Sequence, residues 1–339
     1  MVNACALHAS GGEDGRAPVR PPSPVARGNM IGAPQHIAVD VLTFDGQYEH
    51  RRRRGALHYK TMNTSPFELS IQVSSGTLRA HRFGAEAGPL TLCVPGLSAN
   101  SRSFDFLGEA LASSGRSIVA LDLRGRGFSD ITGPGTYGWS NHARDVLEAA
   151  TKLGAQRFDL IGHSMGAFIG MEVTRRAPER VGKLVLIDAV GVPEAAAIMP
   201  ILSAVSRLGA VHADVESYVA AVKGLGTVDP WSDYWERHYR YDLVPTRGGV
   251  SPRTDPGAVM EDLAYGSTQT PRALWPAIVA HCLLVRSSRP LGGGFIVSES
   301  DRDRFVETAR RASAVDVDAN HYGVMTHKAT AQSIGSFLS

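Results

Sequence analysis

Short apolar segments and amphipathic helical segments alternate along most of the chain. Residues 67–73 and 77–83 alternate apolar with polar positions and are joined by Ser-Ser-Gly, which predicts a β-hairpin. Short, β-rich and mostly apolar segments predict further strands at 90–94, 117–122, 158–162, 183–188, 281–286 and 314–318. Helical patterns are found at about 102–114, 140–153, 165–177 and 301–312. This alternation is typical of a parallel sheet with helices on both faces.

The stretch between the strand that ends at Asp188 and the next strand, from His281, is too long for one crossover helix. Residues 193–273 are helical or irregular in character, and we interpret them as a mostly helical insertion. The remaining segments, 62–192 and 274–339, would then form one α/β core.

Residues 1–61 differ from the rest of the chain. They are rich in Gly, Pro and Arg, include four adjacent arginines at 51–54, and contain few large apolar residues. Such a segment cannot bury enough apolar surface to offset its ordering entropy. We therefore predict a disordered, solvated tail, with a basic interaction arm as the alternative, and expect Met62 to begin either translation or the folded unit.

Composition narrows the functional classes. The formal net charge of the 339-residue chain is only +2, which gives no indication of a nucleic-acid partner. No apolar run approaches the roughly 18 residues of a membrane span, and no signal peptide is recognisable. Cys5, Cys93 and Cys282 provide no disulfide framework. We expect a cytoplasmic protein with a small-molecule substrate and no membrane partner, and the sequence leaves the oligomeric state open.

The sequence Gly-His-Ser-Met-Gly at 162–166 lies where a predicted buried strand meets a predicted helix. It fits G-x-S-x-G, a tight turn that strains the serine backbone and exposes its hydroxyl group. Glycines are needed on either side because side chains there would collide with neighbouring backbone. The positive end of the helix that begins at Met165 points at the turn. We therefore predict that Ser164 is a nucleophile, whereas an ordinary serine N-cap is the alternative.

With this turn in its context, the chain resembles the α/β-hydrolase family, in particular serine hydrolases with a helical cap. The resemblance covers about residues 67–339. Five segments carry it in order: LCVPGLSANSRSF, VALDLRGRGFSD, LIGHSMGAFIG, KLVLIDAVG and DVDANHYGVM. It implies a mostly parallel eight-stranded sheet with helices on both faces and a helical cap, here 193–273, inserted after the sixth strand.

The resemblance also implies roles for individual residues. His321 lies after the last predicted strand, where the family has its catalytic base, and His327 is a weaker rival. Backbone N–H groups of Leu97 and Met165 would form the oxyanion hole, although Pro-Gly stands here where many relatives have His-Gly. Asp122, Arg124 and Gly125 also match the family, and we interpret them as structural.

The acid of the expected triad is the point of departure from the family. No carboxylate follows the seventh strand, where most relatives have one. We favour Asp188, at the end of the sixth strand, over Asp301, which also fits a helix-capping box. Asp316, Asp318 or the absence of any acid remain open.

Aromatic residues are concentrated in one part of the insertion, at Trp231, Tyr234, Trp235, Tyr239 and Tyr241. They could form a small core of the cap. Alternatively, Trp231, Trp235 and Tyr239 would line an apolar substrate pocket between cap and sheet.

The sequence as a whole predicts a serine hydrolase that cleaves a carboxylic ester, or a related acyl bond, of a small to medium apolar substrate. A hydrolase of carbon–carbon bonds, of the type that acts on meta-cleavage products, is one alternative, and a non-catalytic ligand-binding homologue is another. No cofactor is expected, and no metal-ligand spacing is present.

Overall fold

A computed structural model of the chain describes residues 66–339. The predicted tail at 1–61, its arginine run, Cys5 and the candidate start at Met62 lie outside the described residues. The strands of the described part are β1 (Phe67–Val73), β2 (Gly76–Gly84), β3 (Leu90–Val94), β4 (Ser117–Leu121), β5 (Phe158–His163), β6 (Val181–Ile187), β7 (Leu243–Thr246), β8 (Gly249–Pro252), β9 (His281–Ser287) and β10 (Ala312–Val317). Its α-helices are α1 (Asp105–Leu111), α2 (Trp139–Lys152), α3 (Met165–Arg176), α4 (Ala195–Val205), α5 (Val215–Gly224), α6 (Asp233–Tyr241), α7 (Pro256–Ser267), α8 (Glu299–Thr308) and α9 (Lys328–Leu338).

Eight of these strands form one twisted sheet in the order β1-β2-β4-β3-β5-β6-β9-β10. The first two strands form the predicted antiparallel hairpin, and β2 pairs antiparallel with β4. The other five pairs of this sheet, β4-β3, β3-β5, β5-β6, β6-β9 and β9-β10, are parallel. The predicted fold class, a mostly parallel eight-stranded sheet with helices on both faces, is confirmed.

The central strands have apolar side chains on both faces because helices cover both sides of the sheet. On β5, Leu160 packs into one hydrophobic cluster, with α2, α3 and α8, whereas Ile161 packs into the other, with α1 and α9. This alternation follows from the two-residue period of a strand. Cys93 and Cys282 are buried in β3 and β9, where burial raises the pKa of each thiol.

The chain leaves the sheet after β6 and returns at β9. Between them lie four helices, α4 to α7, and the antiparallel hairpin β7–β8. The helices agree with the pattern in residues 193–273, but the hairpin was not predicted, since its short segments of Leu-Val-Pro-Thr and Gly-Val-Ser-Pro lack a period-two pattern. None of the helices in residues 66–339 is both long and apolar enough to cross a membrane.

Candidate active site

Ser164 occupies the sharp turn between β5 and α3. Its φ of 54° and ψ of −122° are strained for a residue with a side chain. A Cβ on Gly162 would lie 2.2 Å from the carbonyl oxygen of Gly166, and one on Gly166 would lie 2.0 Å from that of Val94. The two glycines are therefore required by close backbone contacts, as the motif predicted.

This crowding makes a stability prediction. Gly166→Ala should lower the free energy of unfolding by about 1–3 kcal/mol or more, because backbone atoms must move to admit the methyl group. Gly133→Ala is the matched control, since a Cβ there meets nothing within 4 Å. Urea unfolding of both variants measures the difference, and equal stabilities would show that the turn is less constrained than its geometry indicates.

Three of the predicted residues meet at the carboxyl ends of the sheet strands. His321, in the loop after β10, has its Nε2 3.0 Å from Ser164 Oγ. Its Nδ1 lies 2.8 Å from Oδ2 of Asp188, which directly follows β6. A carboxylate only accepts, so Nδ1 carries the proton and Nε2 is left to accept the hydroxyl proton of the serine. His321 and Asp188 are both buried, whereas Ser164 is partly exposed.

The backbone at the end of β9 explains how an acid from β6 can occupy this position. The N–H of Ser287, the last residue of β9, donates to Oδ1 of Asp188 at 2.9 Å. The N–H of Asp188 itself donates to the carbonyl of Val285 at 2.8 Å, and its φ of 49° turns the chain sharply at this point. Ser287 thus donates a backbone hydrogen bond to Asp188. It lies at the end of the strand after which most relatives have a carboxylate and this sequence has none.

The alternative acids lie elsewhere. Asp301 belongs to the first turn of α8, where its N–H is capped by Ser298 and its carboxylate binds Arg272 at 2.7 Å. Asp301 is therefore not the partner of His321, because its carboxylate is engaged by arginine. Asp316 and Asp318 likewise form ion pairs with arginines. His327, the rival base, caps the start of α9 through its Nδ1.

His163 lies beside the candidate base without contacting Ser164 Oγ. Its Nε2 donates to the carbonyl oxygen of His321 at 3.0 Å, and the two rings are 4.6 Å apart. Burial, followed by the proximity of His321, holds the pKa of His163 well below its usual value. A neutral His163 therefore fixes the backbone that carries His321.

The predicted oxyanion-hole residues flank the serine. Met165 directly follows Ser164, and Leu97 lines the same cleft. The loop that carries Leu97 lies close to the serine, because a Cβ placed on Gly96 would be only 3.2 Å from the Cβ of Ser164. Neither the N–H of Leu97 nor that of Met165 donates to another group in residues 66–339. The buried guanidinium of Arg126 donates to the Leu97 carbonyl at 3.0 and 2.9 Å, which orients this loop.

Asp122 braces the same loop from below. Its buried carboxylate accepts hydrogen bonds from the N–H groups of Ser101 and Phe128, at 2.7 and 2.9 Å, and from the hydroxyl of Tyr241, at 2.9 Å. Burial raises the pKa of Asp122 despite these donors. Arg124 pairs with Asp145. These contacts agree with the interpretation of Asp122 and Arg124 as structural residues.

A narrow cleft, partly open to solvent, lies at Ser164. Trp235 and Tyr239, on one face of α6, line it as predicted. Trp231 does not line it: its ring stacks on Tyr239 at 5.7 Å, so it supports the wall from behind. Sequence reasoning missed further lining residues, which are Ile201, Ala204, Arg207, His238 and Tyr322.

Three buried histidines make stability sensitive to acid. Burial, the largest cause in each case, lowers the pKa of His81 to about 4 and of His238 to about 3, and depresses that of His163 strongly. Below about pH 6.5 the unfolded chain therefore binds more protons than the folded chain, so stability falls as the pH falls.

We expect the free energy of unfolding to drop by about 1.4 kcal/mol per histidine per pH unit in this range, or roughly 4 kcal/mol between pH 7.5 and 5.5. Urea unfolding at the two pH values measures the change. His238→Gln should remove about one third of it, and a pH-independent stability in the parent protein would contradict the assignment of neutral histidines.

No group of His, Cys, Asp and Glu in the described part of the chain has the arrangement of a metal site. The chemistry that residues 66–339 offer at this cleft is an alcohol, an imidazole, a carboxylate and two free N–H groups.

Comparisons with known proteins agree with the fold described above. A family model described as alpha/beta hydrolase fold matches residues 89–249. The chain is 35% identical over 126 residues to N-formylmaleamate deformylase of Pseudomonas putida, covering 37% of this chain and 46% of that protein. It is 39% identical over 88 residues to 2-hydroxymuconate semialdehyde hydrolase, also of Pseudomonas putida, covering 25% and 30%.

The solved structure of E-2-(acetamidomethylene)succinate hydrolase superposes with a TM-score of 0.70 at 22% identity, covering 80% of this chain and 99% of that one, which shows the shared fold. The chain has the α/β-hydrolase fold, and residues 89–249 match the model of that family. Its matches span 30% to 60% of the length of the curated relatives.

Proposed function

We propose that this α/β hydrolase is a serine hydrolase that cleaves a carboxylic ester, or a related acyl bond, through an acyl-enzyme. One observation carries the proposal: Ser164 Oγ lies 3.0 Å from His321 Nε2, while His321 Nδ1 is held by Asp188 at 2.8 Å. A serine hydroxyl is a poor nucleophile until a base takes its proton, and this geometry supplies that base in the right tautomer.

In the first half-reaction, Ser164 Oγ attacks the carbonyl carbon while His321 Nε2 takes the hydroxyl proton. The charge that develops on the carbonyl oxygen is stabilised by the N–H groups of Leu97 and Met165, which have no other acceptor in the described residues. His321 then donates the proton to the leaving oxygen, the carbon–oxygen bond breaks, and the acyl group stays on Ser164.

In the second half-reaction, a water molecule takes the place of the alcohol. His321 accepts its proton as the water oxygen attacks the acyl carbon, and returns a proton to Ser164 Oγ as the acid leaves. Asp188 stabilises the imidazolium in both halves without itself taking the proton.

We further propose that residues 193–273 act as a cap over this site. The insertion contributes Ile201 and Ala204, together with Trp235 and Tyr239 from α6, to the wall of the cleft. Apolar and aromatic walls suit the body of a small to medium apolar acyl group and exclude water from the reacting bond.

The type of bond is the open part of the proposal. The two Pseudomonas putida relatives are named for a deformylase and a semialdehyde hydrolase, so the family resemblance is compatible with several bonds. The second of these supports a carbon–carbon bond hydrolase as the alternative reaction for the same serine.

A substrate panel tests the proposal. Chromogenic esters, thioesters and lactones, together with a vinylogous 1,5-diketone, would be assayed with the parent protein and Ser164→Ala. We expect ester or thioester turnover that Ser164→Ala abolishes. Turnover of the diketone alone would establish the alternative reaction. If no member of the panel is turned over, the protein is a ligand-binding homologue and the enzymatic proposal is wrong.

A further inference from the structure

The cleft at Ser164 contains a guanidinium group that forms no ion pair with a carboxylate in residues 66–339. Arg207 follows α4 and lines the cleft together with Ser164. Its Nη1 donates to the hydroxyl of Tyr218 at 2.8 Å and its Nη2 to the carbonyl of Ser98 at 3.2 Å. Its Nε is shielded from solvent and has no acceptor in residues 66–339. Both partners are neutral, and the ring of Tyr239 lies 5.2 Å from the guanidinium carbon, so Arg207 forms no ion pair in the described residues.

The rest of the fold treats buried arginines differently. Three of them each bind a carboxylate: Arg124 with Asp145, Arg126 with Asp262, and Arg286 with Asp316. A shielded charge without a counter-ion is costly, and it is retained where a ligand supplies the opposite charge. Arg207, which is partly buried, has no such carboxylate partner in the described residues, and it lies in the cleft that would receive the substrate.

The surroundings of Arg207 leave room for an anion. No Asp or Glu lines the cleft. The carboxylate of Asp242 is near enough for its charge to favour the Arg207 cation, but it accepts from the hydroxyl and N–H of Thr254 and forms no ion pair with the guanidinium. In the same wall, Trp235 has a shielded Nε1–H donor without an acceptor, and His238 has an unpartnered Nδ1. Apart from Asp188, which is bound to His321, the cleft therefore offers a cation and a spare donor, and no carboxylate lines its wall.

We propose that the substrate carries a carboxylate group besides its scissile acyl bond, and that Arg207 binds this carboxylate. The planar guanidinium suits a carboxylate because its N–H groups can donate in parallel. Half-esters of dicarboxylic acids are the simplest compounds of this class: the apolar chain lies between the two ends, with one carbonyl at Ser164 and the free carboxylate at Arg207. This inference rests on the proposed function for the reacting end only.

An isosteric pair of substrates tests the charge alone. The mono-4-nitrophenyl ester of glutarate carries the carboxylate, and the 4-nitrophenyl ester of glutaramic acid replaces it with a neutral amide of the same shape. The full chain should show a kcat/KM for the anionic ester at least about tenfold above that for the amide. Adipate and succinate half-esters measure which chain length spans the cleft.

Arg207→Met should lower kcat/KM for the anionic ester by roughly 10- to 100-fold and change that for the amide less than threefold. For the anionic ester, the kcat/KM of Arg207→Lys should lie between that of the parent protein and that of Arg207→Met. Arg240→Met is the matched control, because Arg240 on the same insertion pairs with Glu216 and Glu236. Equal losses for both esters would assign Arg207 a structural role, and no preference in the parent protein would overturn the proposal.

A binding measurement separates this inference from the proposed function. The full chain, titrated calorimetrically, should bind glutarate more tightly than glutaramide, and Arg207→Met should remove the difference. If esters of neither kind are hydrolysed but glutarate binding depends on Arg207, the proposed function fails and the anion site stands. If neutral esters are hydrolysed but glutarate binds no better than glutaramide, the anion site fails alone.

Discussion

Ser164→Ala is expected to lower kcat for the best ester substrate by about 10⁴-fold or more. The alcohol oxygen is the atom that forms the acyl bond, and the next polar side chain of the turn, His163, is turned away to the His321 carbonyl. KM should change little, because the methyl group leaves the cleft walls and both oxyanion N–H groups in place. Stopped assays over hours, with enzyme purified free of host esterases, give the residual rate.

Another serine that lines the cleft, Ser98, provides the control. Ser98 lines the same cleft, but its Oγ has no role in the proposed reaction, so Ser98→Ala should retain kcat within about threefold. Retention of ester turnover in Ser164→Ala would assign the nucleophile to another residue and remove the basis of the mechanism.

Asp188→Asn is expected to lower kcat roughly 10³-fold. An amide at this position no longer stabilises the imidazolium, and its NH₂ group would oppose the N–H of His321 Nδ1, which favours the wrong tautomer. The N–H of Ser287 can still donate to the side-chain oxygen of the amide, so the turn after β6 should remain folded. Steady-state kinetics at saturating ester, with circular dichroism as the check on folding, measures the effect.

Asp301→Asn is the matched comparison because it makes the same chemical change at the other candidate acid. Asp301 binds Arg272 and belongs to the start of α8, so its loss should affect stability while kcat stays within about threefold. A large loss of kcat in Asp301→Asn together with a small one in Asp188→Asn would reverse the assignment of the acid.

The parts of the site that the sequence predicted are those that depend on local backbone geometry or on chain order. Ser164 could be found because a turn this tight between strand and helix requires Gly162 and Gly166 as neighbours, and each glycine meets backbone within 2.2 Å of its missing Cβ. His321 could be found because it follows the last strand of the sheet, where the resemblance to α/β hydrolases implies a histidine base. The positions of the central strands could be predicted because the strands of a sheet that is buried on both faces are near-continuous apolar segments.

The choice of acid depended on a contact that is not local. Asp188 and Asp301 both follow plausible signals in the sequence, and what separates them is which carboxylate reaches Nδ1 of His321 across the sheet. The N–H of Ser287 that holds Asp188 belongs to a strand about a hundred residues further along the chain. Sequence pattern carries no information on such a backbone donor.

The lining of the cleft was the least predictable part. Arg207 follows an apolar helix, where a cation is ordinarily interpreted as a favourable partner of the helix dipole. Arg207 can be interpreted as a ligand-binding residue only once its hydrogen-bond partners, Ser98 and Tyr218, are known to be neutral. Trp231 has the same kind of spacing as Trp235 and Tyr239, yet it packs behind Tyr239, as expected from the alternative in which these aromatic residues form a core of the cap.

The central claim, that Ser164 is an activated nucleophile, is tested most directly by covalent labelling. The full chain would be treated with a fluorophosphonate probe and digested, and the modified peptide identified by mass spectrometry, with His321→Ala in parallel. We expect a single adduct on Ser164, and we expect it to form far more slowly in His321→Ala. An unlabelled parent protein, or an adduct on another residue, would contradict it.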